Sequence, residues 1–210
     1  MEKVIGAIAK FIFWASYPVL RVIYPMKIHW ENKEETRQAL KGKCVVFSNH
    51  LGYVEGLYMT RLLHKFKVWT FVGRDWYEKK GINWLFRNLP YLSIDRKGGM
   101  DTTWLDLSVS VMNKGGSVYI LPEGHTSPID NMDEFKPGFL MLAKQTGATL
   151  VPMYISCKIK PFHLTHLIIG TPMNPDLHEK GRPSQVFKKY CEESRIAVDE
   201  LGKKFKAGNI

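Results

Sequence analysis

What most limits the folds open to this chain is an alternation of short β-branched or aromatic runs with helical stretches. The runs are Cys44 to Phe47, Val68 to Val72, Pro90 to Arg96, Gly116 to Leu121 and Leu150 to Ser156, with a further candidate at Leu164 to Gly170. Between them Val54 to Leu63, Arg74 to Lys80, Ile82 to Asn88, Thr102 to Asn113 and Phe139 to Thr146 have helical character, and Ser184 to Lys206 follows as a basic helix whose charges read as a solvated face. The pattern predicts an α/β fold, a single domain with a largely parallel central sheet flanked by helices. In such a sheet, functional groups collect in loops at the carboxyl ends of the strands. A chain of 210 residues can bury a core of ordinary size. Residues 26 to 42, rich in charge from Glu31 to Arg37, are expected to be a connector into the first strand.

Ahead of that connector, Val4 to Pro25 is almost wholly apolar and aromatic apart from Lys10 and Arg21. Only ten uncharged residues separate those two cations, and Pro18 interrupts the helix, so a segment lying in the headgroup region is favoured over one that spans. The alternative is an apolar helix packed on the domain's own core. Residues 1–25 are therefore expected to form a membrane-interface helical segment, and 26–210 the α/β domain. The chain carries 30 Lys+Arg against 20 Asp+Glu, a formal charge of +10, which calls for an anionic partner. Nucleic acid is the weaker candidate, because the aromatics cluster in the N-terminus and the strands and do not alternate with basic residues as a stacking platform would. Cys44, Cys157 and Cys191 are too scattered for a disulfide framework or a zinc ribbon, and the chain reads as reduced and facing the cytosol.

Chemistry concentrates after the first run, at Asn49-His50-Leu51-Gly52-Tyr53-Val54-Glu55. If His50 lies in the strand-to-helix turn and Glu55 in the first helical turn, the carboxylate reaches one ring nitrogen and leaves the other facing a substrate. That pair would deprotonate a hydroxyl. By spacing alone the signal is weak, and the plainer reading is an ordinary loop histidine with a carboxylate favourably placed at a helix N-terminus. Further polar groups fall after later strands: Asp95-Arg96 with Lys97-Gly98-Gly99, then Pro122-Glu123-Gly124-His125-Thr126-Ser127, with Val151-Pro152 in the next strand. Arg96 offers a forked cation for a phosphate with Lys97 beside it, Glu123 a carboxylate for a substrate hydroxyl, and Gly124 close backbone approach. Each also reads as a turn with a surface ion pair. The spacing of His50, Glu55, Glu123 and His125 matches no common zinc pattern, and no metal site is expected.

These blocks, in this order, resemble the 1-acylglycerol-3-phosphate acyltransferase family of glycerolipid acyltransferases. Its N-H-x-x-x-x-D block stands here as Asn49 to Glu55, its I-D-R as Ile94-Asp95-Arg96, its F-P-E-G-T-R-S as Leu121 to Ser127, and its V-P as Val151-Pro152; Phe135-Lys136-Pro137-Gly138-Phe139 resembles the family's glycine turn. The resemblance covers most of the chain. It implies transfer of a fatty acyl group from a thioester on coenzyme A or acyl carrier protein to a lysophospholipid hydroxyl, most directly that of 1-acylglycerol-3-phosphate, giving phosphatidic acid on the cytoplasmic face of a membrane. It implies no bound cofactor, His50 and Glu55 as the catalytic pair, and Arg96, Lys97, Glu123, Gly124 and Ser127 around the acceptor. Two positions depart from the pattern: Glu55 replaces the usual aspartate, and His125-Thr126 replaces Thr-Arg. The second change removes the arginine expected on the acceptor phosphate. A different lysolipid acceptor on the same scaffold, or a catalytically silent lipid-binding protein, are the competing readings.

Overall fold

In a computed structural model, which describes residues 2–52, 54–95, 102–128 and 131–210, the chain folds around one seven-stranded sheet. Its strands are β1 (Met26–Trp30), β2 (Cys44–Ser48), β3 (Val68–Gly73), β4 (Tyr91–Ile94), β5 (Ser117–Ile120), β6 (Thr149–Ile155) and β7 (Thr165–Ile169). They lie in the order β1-β7-β6-β2-β5-β3-β4, and every pair is parallel except β6 with β7. The central strand β2 is buried at all five positions, as a strand covered on both faces must be.

Helices α3 (Lys33–Lys41) and α4 (Val54–Leu62) cover one face, where Leu40 and Met59 pack with Val46, Val151 and Met153. The other face carries α7 (Thr103–Asn113), α8 (Gly138–Thr146) and α9 (Pro183–Lys206), whose Met112, Phe139 and Leu201 pack with Val45, Phe47 and Tyr154. Two short helices, α5 (Arg74–Tyr77) and α6 (Asn83–Asn88), connect β3 to β4.

The expected connector over 26 to 42 is instead structured. Met26 to Trp30 forms the edge strand beside β7, and α3 follows, with Thr36 and Leu40 wholly buried. Asn32 caps α3: its Oδ1 accepts from Glu35 N at 3.3 Å and its Nδ2 donates to Glu35 Oε2 at 2.7 Å. The C-terminal helix also does more than present solvated charge. One stripe of α9, including Val186, Tyr190, Val198 and Leu201, is buried, and Gly202 lets it approach the sheet, since a Cβ there would lie 2.7 Å from the Tyr154 ring.

The N-terminal segment forms α1 (Glu2–Ala15) and α2 (Tyr17–Ile23), divided at Ser16, two residues before Pro18. Proline removes one helical donor, yet the bonds Ser16 N to Ile12 O (3.0 Å) and Leu20 N to Ser16 O (2.9 Å) carry the chain across the break. The pair runs from α6, where Gly6 faces Asn88, past Arg61 of α4, to the turn at Phe162, whose N–H donates to Ile23 O. Between Val4 and Ile23 only Ala9 and Phe13 are buried. This stretch therefore does not serve as a core helix: Val4, Ile8, Phe11, Trp14, Val19 and Val22 stand exposed.

Candidate active site

The carboxyl ends of β2 and β5 lie side by side, Phe47 opposite Ile120, and the turns that follow them build one site. After β2, Asn49 anchors the turn to the neighbouring strand: its Nδ2 donates to Ile155 O at 3.0 Å and its Oδ1 accepts from Ile155 N at 2.8 Å. The side chain mimics a strand partner where the ladder ends. His50, the next residue, is thereby held at the mouth of the sheet.

The turn brings Glu55 back from the first turn of α4. Its Oε2 lies 2.9 Å from His50 Nδ1, and both carboxylate oxygens accept from Leu51 N, at 2.9 and 3.0 Å. Glu55 is wholly buried while the His50 side chain is 15% exposed, so the pair points one way: carboxylate inside, ring outward. Gly56 makes room for this, because a Cβ there would sit 3.1 Å from Thr70 Cγ2. Burial pushes the Glu55 carboxyl above its ordinary range, opposed by the hydrogen bonds it accepts from His50 and from the Leu51 and Gly52 amides. With Nδ1 engaged, Nε2 has no hydrogen-bond partner among the described residues, and the ring lines a cleft of about 580 Å³.

The turn after β5 braces His50 from the other side. Glu123 Oε1 accepts from His50 N at 2.7 Å, and its Oε2 accepts from Asp133 N at 3.0 Å. Ser127 N donates to His50 O at 2.8 Å, so both backbone polar groups of His50 are held by this loop. Glu123 is fully buried with each oxygen engaged by a backbone amide, which places it and Ser127 behind the cleft wall rather than in its lining. Asp133 closes the loop, accepting from Ser127 Oγ at 3.0 Å and pairing with His125 Nε2 at 2.7 Å; the His125 contact, then that of Ser127, holds its carboxyl below the usual range.

Gly124 does line the cleft. Its φ of +76° is costly for other residues, and a Cβ there would meet Lys136 Nζ at 2.9 Å. The lysine ammonium therefore reaches over the turn, beside His125 and Thr126. Phe71, Trp104 and Phe139 supply apolar wall, and Asp95 lines the rim, paired with Arg74 at 3.0 Å. Arg96 and Lys97 lie outside the described residues. Val151 and Pro152 sit within β6, in register with Val46 and Phe47 and away from the cleft lining; their block is structural, and Ile155 at the strand's end is the part that touches the site. Sequence reasoning missed Asp133, ten residues past Glu123 in an irregular loop, and the clamp made by Asn49.

Among the described residues, no group of three or more His, Cys, Asp or Glu side chains is placed to hold a metal ion, and all three cysteines are free. The arrangement is suited to taking a proton from a neutral donor in the cleft. An imidazole with one nitrogen on a buried carboxylate and the other open is oriented, tautomerically fixed and stabilised when it becomes positive.

Seven solved chains show significant structural likeness; one is the crystal structure of PlsC, the 1-acyl-sn-glycerophosphate (LPA) acyltransferase from Thermotoga maritima, at a TM-score of 0.61 and 20% sequence identity, covering 98% of this chain and 80% of that one. That likeness bears on the fold. The family model for Acyltransferase matches residues 27–156, from β1 through the end of β6, and so takes in Asn49, the His50–Glu55 pair and the Glu123 turn together. With 130 of its 210 residues inside that match, the chain belongs to the acyltransferase family.

Proposed function

We propose that this acyltransferase moves a fatty acyl group from a thioester, on coenzyme A or acyl carrier protein, to a hydroxyl of a lysophospholipid. The observation that carries the reading is the 2.9 Å contact between His50 Nδ1 and the buried Glu55, with Nε2 open to the cleft. His50 Nε2 takes the proton of the acceptor hydroxyl as its oxygen attacks the thioester carbonyl. Glu55 stabilises the imidazolium that results. Collapse of the tetrahedral intermediate expels the thiolate, which takes the proton back from His50, leaving an ester and a free thiol. No covalent acyl-enzyme is required, and the protein supplies no cofactor of its own.

Around that step, Glu123 and Ser127 act as positioning residues and Gly124 and Lys136 face the acceptor; Arg96 and Lys97 are proposed as further acceptor contacts on the strength of the sequence pattern alone. Lysophosphatidate is the acceptor that best fits a cleft with Lys136 and His125 at its polar side. Thr126, standing where the family pattern it resembles has arginine, favours a second reading in which the acceptor is another lysolipid. The exposed apolar face of α1 and α2 supports a peripheral or monotopic site of action, with the excess positive charge toward an anionic cytoplasmic leaflet. The segment from Val4 to Ile23 is also long and apolar enough to cross a membrane by length and composition.

The test is to incubate purified protein with an acyl thioester and a panel of lysolipids, wild type against His50→Ala. Loss of a general base should reduce turnover by about 10²- to 10⁴-fold. Equal product from both proteins, or no product with any acceptor, would overturn the enzymatic reading; the panel identifies the acceptor.

A further inference from the structure

At the opposite end of the sheet from His50, a second cleft of about 480 Å³ opens between α1, α6 and the amino ends of β3 and β5. Lys10, Lys67, Arg87 and Lys114 converge on it from four different parts of the chain, with His64 beside them, and among the described residues no carboxylate lines it. None of the four cations makes a salt bridge among the described residues. Elsewhere on the surface several basic residues of α9 do pair, Lys189 with Glu179, Arg195 with Glu192 and Lys203 with Asp199.

The cleft is built rather than a scatter of mobile side chains. Its walls are Trp69, Pro90 and Val111, and Gly116 forms part of its floor, packed so closely that a Cβ would lie 2.6 Å from Val111 Cγ1. Lys67 holds a left-handed backbone, φ +53°, at the close of the 3-10 turn His64–Phe66. A glycine there would make the same turn with less strain, and without a charge. The His64 ring packs edge-on against Trp14 at 4.8 Å, tying the cleft to the exposed apolar face of α1. Like charges gathered in a half-enclosed apolar setting repel one another unless an anion joins them.

We propose that this cleft binds the phosphate of an anionic phospholipid headgroup, drawn from the bilayer that α1 and α2 contact and distinct from the acceptor in the His50 cleft. Lys10 comes from α1 itself, so a lipid lying alongside that helix presents its headgroup at the level of the cations. The inference rests on the membrane reading of α1 and α2, and the experiment separates the two.

Flotation of the full chain is measured on phosphatidylcholine vesicles with and without phosphatidylglycerol. Three proteins are compared: wild type, the double variant Lys67→Gln/Lys114→Gln, and a control, Lys180→Gln/Lys188→Gln, which removes the same charge from exposed positions outside the cleft. The cleft variant should bind anionic vesicles about tenfold more weakly than wild type. The control should stay within about twofold, and all three should turn over soluble substrate alike. Equal weakening in both double variants overturns the proposal in favour of diffuse charge, and no weakening in the cleft variant overturns it outright. If inorganic phosphate alone raises the melting temperature of wild type as much as anionic vesicles do, the ligand is a free phosphate and not a lipid. A wild type that floats on neither vesicle overturns the membrane reading as well.

Discussion

In the proposed mechanism two residues five apart in sequence make up the base, and their environment sets the pH at which it works. Burial raises the Glu55 carboxyl, so its protonation on acidification begins above the pH at which an exposed glutamate would take up a proton. The sign follows from linkage: the folded protein binds that proton more tightly than the unfolded chain, so ionising Glu55 costs stability as pH rises through its raised pKa, and activity is lost as pH falls through it. The rate profile of kcat/KM should therefore show an acid limb above the ordinary carboxylate range. In Glu55→Gln turnover should drop by about 10²-fold or more across the whole profile. A limb centred where exposed glutamates titrate would contradict the buried pair. The dyad was legible in the chain because His50 and Glu55 lie within a single strand-to-helix turn. The Asn49 clamp on Ile155 was not, since 106 residues separate the partners and only the pairing of β2 with β6 brings them together. Glu123 was picked out as a polar group after a strand, yet the sequence suggested contact with substrate where the structure gives it two backbone amides to hold.

Among the elements, the sheet's interior was readable and its margin was not. Strands β2, β5 and β6 are continuous apolar runs, as strands covered on both faces must be. β1 is an edge strand of half-exposed residues, Met-Lys-Ile-His-Trp, whose pattern carries little apolar signal; its place is fixed by β7, which lies far along the chain. The helix after it did carry a signal, Asn32 with Glu35 three residues on, but its charge hid the two buried positions. At this scale the joint between β2 and β6 is the testable one. Asn49→Ala leaves the buried N–H and C=O of Ile155 without their side-chain partners, and should lower unfolding free energy by about 2–4 kcal/mol in denaturant melts. A change below about 0.5 kcal/mol would mean the clamp is redundant.

For the molecule as a whole, the distribution of apolar surface is the deciding fact. Phe11 is 72% exposed and Val22 is 70% exposed, on a segment that otherwise rests on α4 and α6 through Ala9 and Phe13. Replacing both by serine removes apolar area that the folded domain does not use. Melting temperature should stay within a few degrees of wild type. Vesicle flotation should weaken roughly tenfold or more if these side chains enter lipid. Unchanged flotation would put the membrane contact elsewhere. The loop after β5 has a consequence for how such a protein diverges. Glu123 and Ser127 grip the N–H and C=O of His50, while the side chains between them, His125 and Thr126, look into the cleft. The residues that face the cleft are thus framed by the two that hold the base. Substitution at 125 and 126 should therefore alter what the cleft accepts while leaving the support of His50 in place, whereas exchange of the whole loop should alter both at once, so a swapped chimera should lose turnover together with any gain in selectivity.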